Sequence, residues 1–495
     1  MADASFDIVI AGTSLSGLAY GALCAKQGYT VLVVGQDDRP TMYDSGNAQV
    51  FRSTPLLYGF NSSLVLRSFF RDIGLLAEMR NRPEMLDPSL QIVTPGVRVE
   101  LTERAQQNRV ELERAWPGTS DTLLRFLDSA GREARDMDAF LDDLPLLPAD
   151  GLWGRFKLNR YLRRHDVFFD SLEPVTFPTE LSFTSPVTSL LLYLSRLHSR
   201  PLSPFAVRRL LQHVAGGFYE FPQGVDGIKR LFTERILTNG GSYWPERSVE
   251  QIVLKGRKLV ESVMVHRPRR NVKTRVLVCN THPRPFLSLI PEELQNARFH
   301  GYVKSLKPAW YNYMVNFVAD RALIPSSMGR NLVLSLYPKQ ETSGPHVLWL
   351  HTHVPAGQDV EAPATVAACC RIEARELPLE KEDFDRLNER VLMSLEWVLP
   401  FLRDKLQRVV TSYMTLDRDT GQERLDPSEV QEVYDTPWDG CLDFSAFPCR
   451  TAYRNLMILG EHYLGALGLE GAVLGARQMF AWTREKIVLK QLLKK

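Results

Sequence analysis

The clearest pattern of apolar and polar positions lies at the start of the chain. An almost wholly apolar run at 7–11 predicts a short buried strand, and a glycine-containing turn at 12–17 leads from it into an alanine- and leucine-rich helix that ends at Lys26. A second apolar strand follows at 29–34. This order of strand, turn, helix and strand predicts a nucleotide-binding βαβ unit, in which a diphosphate lies over the free N–H groups of the helix N-terminus.

The turn can be compared with the fingerprint G-x-G-x-x-G position by position. Gly12 and Gly17 occupy its first and third glycine positions, and Ser14 stands in the middle, where it would either crowd a diphosphate or bond it through its hydroxyl. Gln36 stands near the end of the second strand, where an acidic residue usually holds the ribose, and it would bond a hydroxyl without charge. The hexapeptide alone leaves an ordinary strand-to-helix turn open as the alternative.

The remaining pattern mixes helical and strand periodicity along the whole chain, which predicts an α/β protein. Serine at position 62 caps an amphipathic helix that runs to Gly74. Further helices are predicted at 102–145 with a break at 117–118, at 187–214 with a break at 201–204, at 227–238, and at 380–408. Strands are predicted at 249–254, 258–266, 274–280, 310–317, 332–338 and 347–354.

Two groups of polar residues are candidate binding sites, but each is explained as well by an ordinary structural role. His351 and His353 share one face of the strand 347–354, but the sequence offers no third ligand, so a packed or solvated face is favoured over a metal site. The basic turn 267–270 would attract phosphate, yet no aromatic residue interleaves with it, which is more typical of a hairpin tip. With a net charge of +2, the chain has no strong bias towards polyanions, and we expect no nucleic-acid partner.

The cysteines and the N-terminus indicate the compartment. Cysteines occur at positions 24, 279, 369, 370, 441 and 449 and form no C-x-x-C pair or zinc spacing, which suits a reducing environment. Acidic residues stand at positions 3 and 7, where a signal peptide would be basic and then apolar, and no apolar run reaches the roughly 20 residues of a membrane span. The sequence therefore predicts a cytoplasmic protein without a metal site.

Several weak motifs occur in a fixed order along nearly the whole chain. They are the glycine turn at 12–17, the G-G-x-x-x-x-P-x-G helix entry at 216–224, the strand that begins V-E-Q-I at 249, V-L-V-C-N-T-H-P at 276–283, N-L-M-I-L-G-E at 455–461 and L-G-L-E-G-A at 467–472. In this order the chain resembles the phytoene desaturase and flavin amine oxidase superfamily. The resemblance implies a Rossmann-like FAD-binding domain assembled from discontinuous segments, with an inserted α+β substrate domain.

The resemblance also implies domain boundaries and cofactor contacts. The FAD-binding domain would comprise 1–100, 216–295 and 431–495, with a largely helical substrate or lid insertion at 101–215 and the substrate domain at 296–430. Carried over by position, the glycine turn would contact the diphosphate and Gln36 would contact the adenosine ribose. The Val249 backbone would contact the adenine edge, and Glu461 would contact the diphosphate and ribityl region. The segment that begins at Leu467 would lie near the flavin pyrimidine ring. The cofactor-binding residues are thus Gly12, Thr13, Ser14, Leu15, Ser16, Gly17, Gln36, Val249, Gly460, Glu461, Gly468, Leu469, Glu470, Gly471 and Ala472.

One departure from the family keeps a second class of protein open. Family members carry a Gly-Gly-Arg segment soon after the second strand, where this chain has R-P-T-M-Y-D at 39–44. Together with Ser14 and Gln36, three cofactor positions are altered. The Rab GDP-dissociation inhibitors resemble this fold without flavin and bind a prenylated protein. A flavin-free protein that holds a lipid or lipidated partner is therefore the alternative.

The predicted function is an FAD-dependent oxidoreductase of the carotenoid-desaturase-like type that passes hydride from a hydrophobic or lipid-like substrate to flavin. Isomerisation or amine oxidation would use the same scaffold. No catalytic residue is nominated, and the sequence does not assign an oligomeric state. The tail 479–495 mixes aromatic, aliphatic and lysine residues, so it would either contact the inner face of a membrane or pack as a terminal helix on the FAD-binding domain. All of this requires the segments near 12 and near 470 to meet around one dinucleotide.

Overall fold

The computed structural model describes most of the chain, and helices and strands are numbered in chain order below. The described residues are 4–36, 39–53, 55–143, 147, 149, 151–165, 175–178, 181–198, 202–337, 346–355, 362–374, 380–411, 414–416, 423–425, 430–435 and 444–492.

A seven-stranded sheet organises the first part of the fold, and its strand order is β10-β2-β1-β13-β12-β11, with β22 also paired to β13. Its strands are β1 (Ala4–Ala11), β2 (Val31–Val34), β10 (Ser242–Trp244), β11 (Val249–Lys255), β12 (Leu259–Val265), β13 (Arg270–Cys279) and β22 (Leu456–Ile458). The pairs that involve β1, β2, β10 and β22 are parallel, whereas β11, β12 and β13 form antiparallel pairs. Segments from three distant parts of the chain therefore build one dinucleotide-type sheet.

An eight-stranded sheet forms the second part, with the order β18-β14-β17-β16-β15-β7-β8 and β21 paired to β14. Its strands are β7 (Leu90–Thr94), β8 (Val97–Leu101), β14 (Pro308–Ala319), β15 (Asn331–Ser335), β16 (Val347–His353), β17 (Ala364–Glu373), β18 (Leu406–Thr411) and β21 (Gln431–Tyr434). The pairing places β7 and β8 in this sheet, although the sequence division ran to residue 100.

The described residues also form three small sheets. They contain β3 (Met42–Ser45) with β4 (Ala48–Phe51), β5 (Leu57–Tyr58) and β6 (Glu84–Met85) with β9 (Phe218–Glu220), and β19 (Met414–Leu416) with β20 (Glu423–Leu425).

Helices cover both large sheets and supply most of the insertion at 101–215. They are α1 (Leu15–Lys26), α2 (Leu64–Ile73), α3 (Leu76–Asn81), α4 (Ala105–Ala115), α5 (Ser120–Asp136), α6 (Asp138–Asp142), α7 (Gly151–Arg164), α8 (Leu181–Leu194), α9 (Pro204–Ala215), α10 (Gly224–Thr238), α11 (Pro283–Leu287), α12 (Ala297–Ser305), α13 (Lys381–Leu395), α14 (Leu402–Lys405) and α15 (Gly468–Leu492). Short 3-10 helices lie at Glu292–Leu294, Arg321–Leu323 and Gly465–Leu467. Within the described residues, no helix is both long and apolar enough to cross a membrane.

The fold class is confirmed, and two local predictions are wrong. The helix predicted to extend to 408 ends at Lys405, because the β-branched stretch that follows pairs as β18 with β14. Helix α2 is capped by Ser63, whose hydroxyl accepts a hydrogen bond from the Leu66 N–H at 3.1 Å, so the predicted cap at position 62 was one residue early.

Candidate functional site

The two distant ends of the chain meet at one cavity. Its lining includes Leu15 and Ser16 at the start of α1, Glu461 after β22, and Gly468 and Leu469 at the start of α15. The same two helices are joined further along by a 2.9 Å hydrogen bond between the hydroxyls of Tyr20 and Thr483. The arrangement that the sequence required for a dinucleotide site is therefore present.

The glycine turn is shaped by close approach to the end of β13. Gly12 has φ +108, and a Cβ atom there would lie 2.4 Å from the carbonyl oxygen of Asn280. A Cβ atom on Gly17 would lie 2.0 Å from the Asn280 side chain. Neither position has space for a larger residue, so both glycines serve the tight turn and close packing that the fingerprint requires.

Asn280 holds the turn through both ends of its side-chain amide. Its Oδ1 accepts from the Gly17 N–H at 3.0 Å and from the hydroxyls of Ser14 and Ser16, while its Nδ2 donates to the carbonyls of Gly12 and Ser14, each at 3.1 Å. The Ser14 hydroxyl thus points to Asn280. Asn280 lies within the motif at 276–283. The sequence did not predict its bonds to the turn, because its partners are more than 260 residues away in the chain.

Positive potential converges on the cavity. The N-termini of α1 and α15 both face it, and Arg196 and Lys229 contribute side chains to its wall. No hydrogen bond to the backbone N–H of Leu15 or Ser16 is found among the described residues. An anion at this place would meet free donors and two helix dipoles.

Glu461 is the acidic group at this wall. Its side chain is 53% exposed and lies 3.1 Å from Nη2 of Arg196, whose positive charge lowers the pKa of the carboxyl. Gly460, with φ +139, sets the turn that presents it. An ionised carboxylate in this position can accept hydrogen bonds from ribityl or ribose hydroxyls.

The other predicted contacts are placed differently. The Val249 N–H donates to Oε1 of Gln36 at 2.8 Å, so the two groups assigned to adenosine bond each other. The Glu470 side chain is fully buried and paired with Arg209, which leaves only its backbone available to a ligand. The hydroxyl of Tyr58 accepts a hydrogen bond from the Leu469 N–H at 2.9 Å, at the place assigned to the flavin pyrimidine ring. Thr13 is buried in the turn, and Gly471 and Ala472 lie in the first turn of α15.

These observations test the fit of FAD. The turn, the free N–H groups and Glu461 suit a diphosphate and its polyhydroxyl chain. The cavity is small, about 150 Å³, and the Tyr58 hydroxyl already accepts the hydrogen bond of the Leu469 N–H. The residues therefore fit FAD at the diphosphate, and a ring would have to replace Tyr58 at Leu469.

A second cluster of titratable groups was missed by sequence reasoning. His282 lies after β13, and its Nε2 is 2.7 Å from the Tyr434 hydroxyl and also bonds the Glu432 carboxylate. Hydrogen bonds from His282 and Tyr434 overcome the opposing effect of burial and hold the pKa of Glu432 at about 2. Because His282 Nδ1 accepts from the Arg284 N–H at 3.3 Å, Nε2 carries the proton. This cluster, next to His462, can hold a proton beside the Glu461 wall.

The histidine pair of β16 packs in the interior. The rings of His351 and His353 form T-shaped contacts with the ring of Phe51, with 5.1 and 5.9 Å between ring centroids. His351 Nδ1 is 3.0 Å from Oδ1 of Asn331. Of the packed and solvated faces that the sequence left open, the structure has the packed one at His351, which is 4% exposed.

His351 gives a pH prediction. Burial, reinforced by His353 and Arg330, lowers its pKa to about 3, whereas the unfolded value is about 6.5. At a pH between these two pKa values, His351 binds a proton in the unfolded chain but not in the folded chain. The free energy of unfolding should therefore fall with falling pH, by up to about 1.4 kcal/mol per pH unit. Urea unfolding of His351→Gln should show a shallower acid slope. An unchanged slope would contradict this assignment, and exposed His266→Gln serves as the control.

Together the fold and the cavity define an α/β protein with two large sheets, in which the glycine turn and the N-terminus of α15 line one cavity. The chain is similar to the solved structure of an oxidoreductase from Methanosarcina mazei, with 14% identity, a TM-score of 0.58, and 96% of this chain and 99% of the other covered. It is also similar to a triple mutant of putrescine oxidase redesigned in cofactor binding (12% identity, TM-score 0.57, coverage 98% and 100%). Cyclohexylamine oxidase from Brevibacterium oxydans matches with 13% identity, a TM-score of 0.53, and coverage of 97% and 99%.

These likenesses confirm the predicted resemblance at the level of the fold. No protein-family model and no curated protein matches the chain.

Proposed function

We propose that this protein is an FAD-dependent oxidoreductase that removes hydride from an apolar substrate, as carotenoid desaturases do. The observation that carries the proposal is the cavity shared by the glycine turn, Glu461 and the N-terminus of α15. When bound, FAD would supply the hydride acceptor. The protein would bind the diphosphate, orient the substrate and exclude water.

Each part of the wall has a role in this proposal. The N–H groups of Leu15 and Ser16 would bind the diphosphate, and Glu461 would accept bonds from the polyhydroxyl chain. The N-terminus of α15 would stabilise negative charge near Leu469. The apolar side chains of Leu56, Leu57 and Leu194 would exclude water from the substrate side. His282 and Glu432 would hold the proton at Nε2 of the imidazole.

A specific observation favours a second candidate. The Leu469 N–H already donates a hydrogen bond to the Tyr58 hydroxyl, and the Val249 N–H already donates one to the Gln36 side chain. A flavin-free protein that holds a lipid or lipidated partner, resembling the Rab GDP-dissociation inhibitors, would keep both internal bonds. The two candidates differ in one measurable property, which is affinity for FAD. Under either function the tail would contact a membrane surface or pack as a terminal helix on the FAD-binding domain.

Removal of the Glu461 carboxylate tests the flavin proposal. Calorimetric titration with FAD should show an affinity for Glu461→Ala about ten-fold or more below that of the wild type, because a charge-assisted hydrogen bond is lost. Glu234→Ala is the control, since this carboxylate is exposed on α10. Equal FAD affinity in Glu461→Ala and the wild type would contradict the assigned site, and no FAD binding by the wild type would favour the second candidate.

A further inference from the structure

A buried arginine of the second sheet pairs with no carboxylate of the described residues. Arg371 in β17 is only 2% exposed. Its Nη2 donates to the Leu192 carbonyl and its Nε lies 3.4 Å from Oδ1 of Asn312, but Nη1 has no hydrogen-bond partner. The guanidinium carbon lies 5.9 Å from the centre of the Trp349 ring, and this contact offsets only part of the cost of burying the charge. An anion would offset the remainder.

Two neighbouring side chains lack an acceptor as well. Nε1 of Trp349 and Nδ2 of Asn312 have no hydrogen-bond partner in the part of the chain that the structure describes, and these residues are 1% and 3% exposed. Asn312 is paired directly with Arg371, and Trp349 is paired with Cys369, so all three side chains project from one face of the sheet. Native proteins leave few buried donors unsatisfied. The three unpaired atoms of this cluster are all donors, which indicates a site for an acceptor.

The cluster lies directly behind the cavity. The ring of Tyr193 stacks on Trp349 with 4.5 Å between centroids, and Tyr193 also lines the cavity together with Arg196. Burial, with Arg196 adding repulsion, lowers the pKa of Arg371 to about 10. Movement of Tyr193 would connect the donor cluster with the cavity. The lining of the cavity includes the apolar side chains of Leu56, Leu194 and Leu469.

We propose that Arg371, Trp349 and Asn312 bind the carboxylate of an organic acid whose apolar body lies in the adjoining cavity. The planar guanidinium suits the two oxygens of a carboxylate, and the indole and amide N–H groups supply further donors. As an anion site the cluster stands by itself. Its role in substrate recognition rests on the proposed oxidoreductase function, and it would restrict the substrate to apolar acids.

Benzoate and benzamide provide a matched pair of probes, because they share the ring and differ in charge. By titration calorimetry, the wild type should bind benzoate at least about ten-fold more tightly than benzamide. Arg371→Met should abolish that preference, and Trp349→Phe, which keeps a ring but removes the N–H, should weaken it several-fold. Arg104→Met, which removes an exposed arginine, should leave it unchanged. Equal affinities in the wild type, or a preference that survives in Arg371→Met, would overturn the proposal.

Stability separates a binding role from a structural one. An arginine kept for an absent anion is a cost to the free protein, so ligand-free Arg371→Met should unfold at the same or a higher urea concentration than the wild type. An Arg371→Met variant that unfolds earlier, or fails to fold, would assign the residue a structural role and overturn the proposal.

The visible spectrum of the same preparations distinguishes this proposal from the proposed function. A protein that binds benzoate through Arg371 but takes up no FAD would keep the anion site and defeat the oxidoreductase. A yellow protein that does not distinguish benzoate from benzamide would defeat the anion site alone.

Discussion

Replacement of Arg209 by methionine is expected to lower the free energy of unfolding by about 3–5 kcal/mol. Arg209 and Glu470 are both fully buried, with a 3.0 Å bond from Nε to Oε2 and a second bond from Nη2 to Oε1. Nη1 of Arg209 also donates to Asp138 at 2.7 Å. Without the guanidinium, two carboxylates lose their cation, and Glu470 is left inside the protein with Ser63 and His213.

Urea unfolding of Arg209→Met measures this loss. The double variant Arg209→Met/Glu470→Gln should recover part of the stability, because it also removes the buried charge that has lost its partner. The exposed ion pair of Arg104 and Asp87 provides the comparison, and Arg104→Met should cost less than about 1 kcal/mol. A loss below about 1 kcal/mol in Arg209→Met would show that the buried pair is not a main support of the fold.

Replacement of Gly12 by alanine should abolish FAD binding and lower the free energy of unfolding by about 3 kcal/mol or more. Positive φ alone costs an L-residue about 1–2 kcal/mol. The new Cβ would also lie 2.4 Å from the carbonyl oxygen of Asn280, which belongs to the backbone and cannot turn away. The turn would have to open, and its N–H groups would no longer converge on one anion.

Gly28→Ala is the matched control for the turn. Gly28 has φ +83, but nothing lies within 4 Å of a Cβ atom there. This variant should therefore carry only the conformational cost of about 1–2 kcal/mol and should keep its FAD affinity. If Gly12→Ala and Gly28→Ala behave alike in urea unfolding and in FAD titration, close approach to Asn280 does not shape the site.

The sequence predicted the parts of the fold in which local pattern and tertiary packing agree. The run at 7–11 and the helix that ends at Lys26 appear as β1 and α1, because the same apolar residues that define the period are buried in the core. The stretch at 406–408 was assigned to a helix instead of β18. Its pairing with β14 depends on a strand that lies far away in the chain, and local periodicity does not report such a partner.

The candidate site was predictable only where a motif is local. The turn at 12–17 could be placed from its spacing, and Glu461 from the family resemblance of the motif around it; both line the same cavity or support its wall. The bonds of Asn280 to the turn, of Gln36 to Val249 and of Tyr58 to Leu469 join residues separated by hundreds of positions. Arg371 could not be nominated for the same reason. Its neighbour across the sheet is Asn312 and not a carboxylate, which is seen only once the strands are paired.

The visible spectrum of the purified protein, after incubation with FAD and removal of the excess, tests the central claim most directly. We expect a flavin absorbance band at about 450 nm that corresponds to one FAD per chain. Gly12→Ala treated in the same way should show no such band. A wild-type protein that stays colourless, or a Gly12→Ala variant that retains as much flavin as the wild type, would contradict a dinucleotide held between the glycine turn and α15.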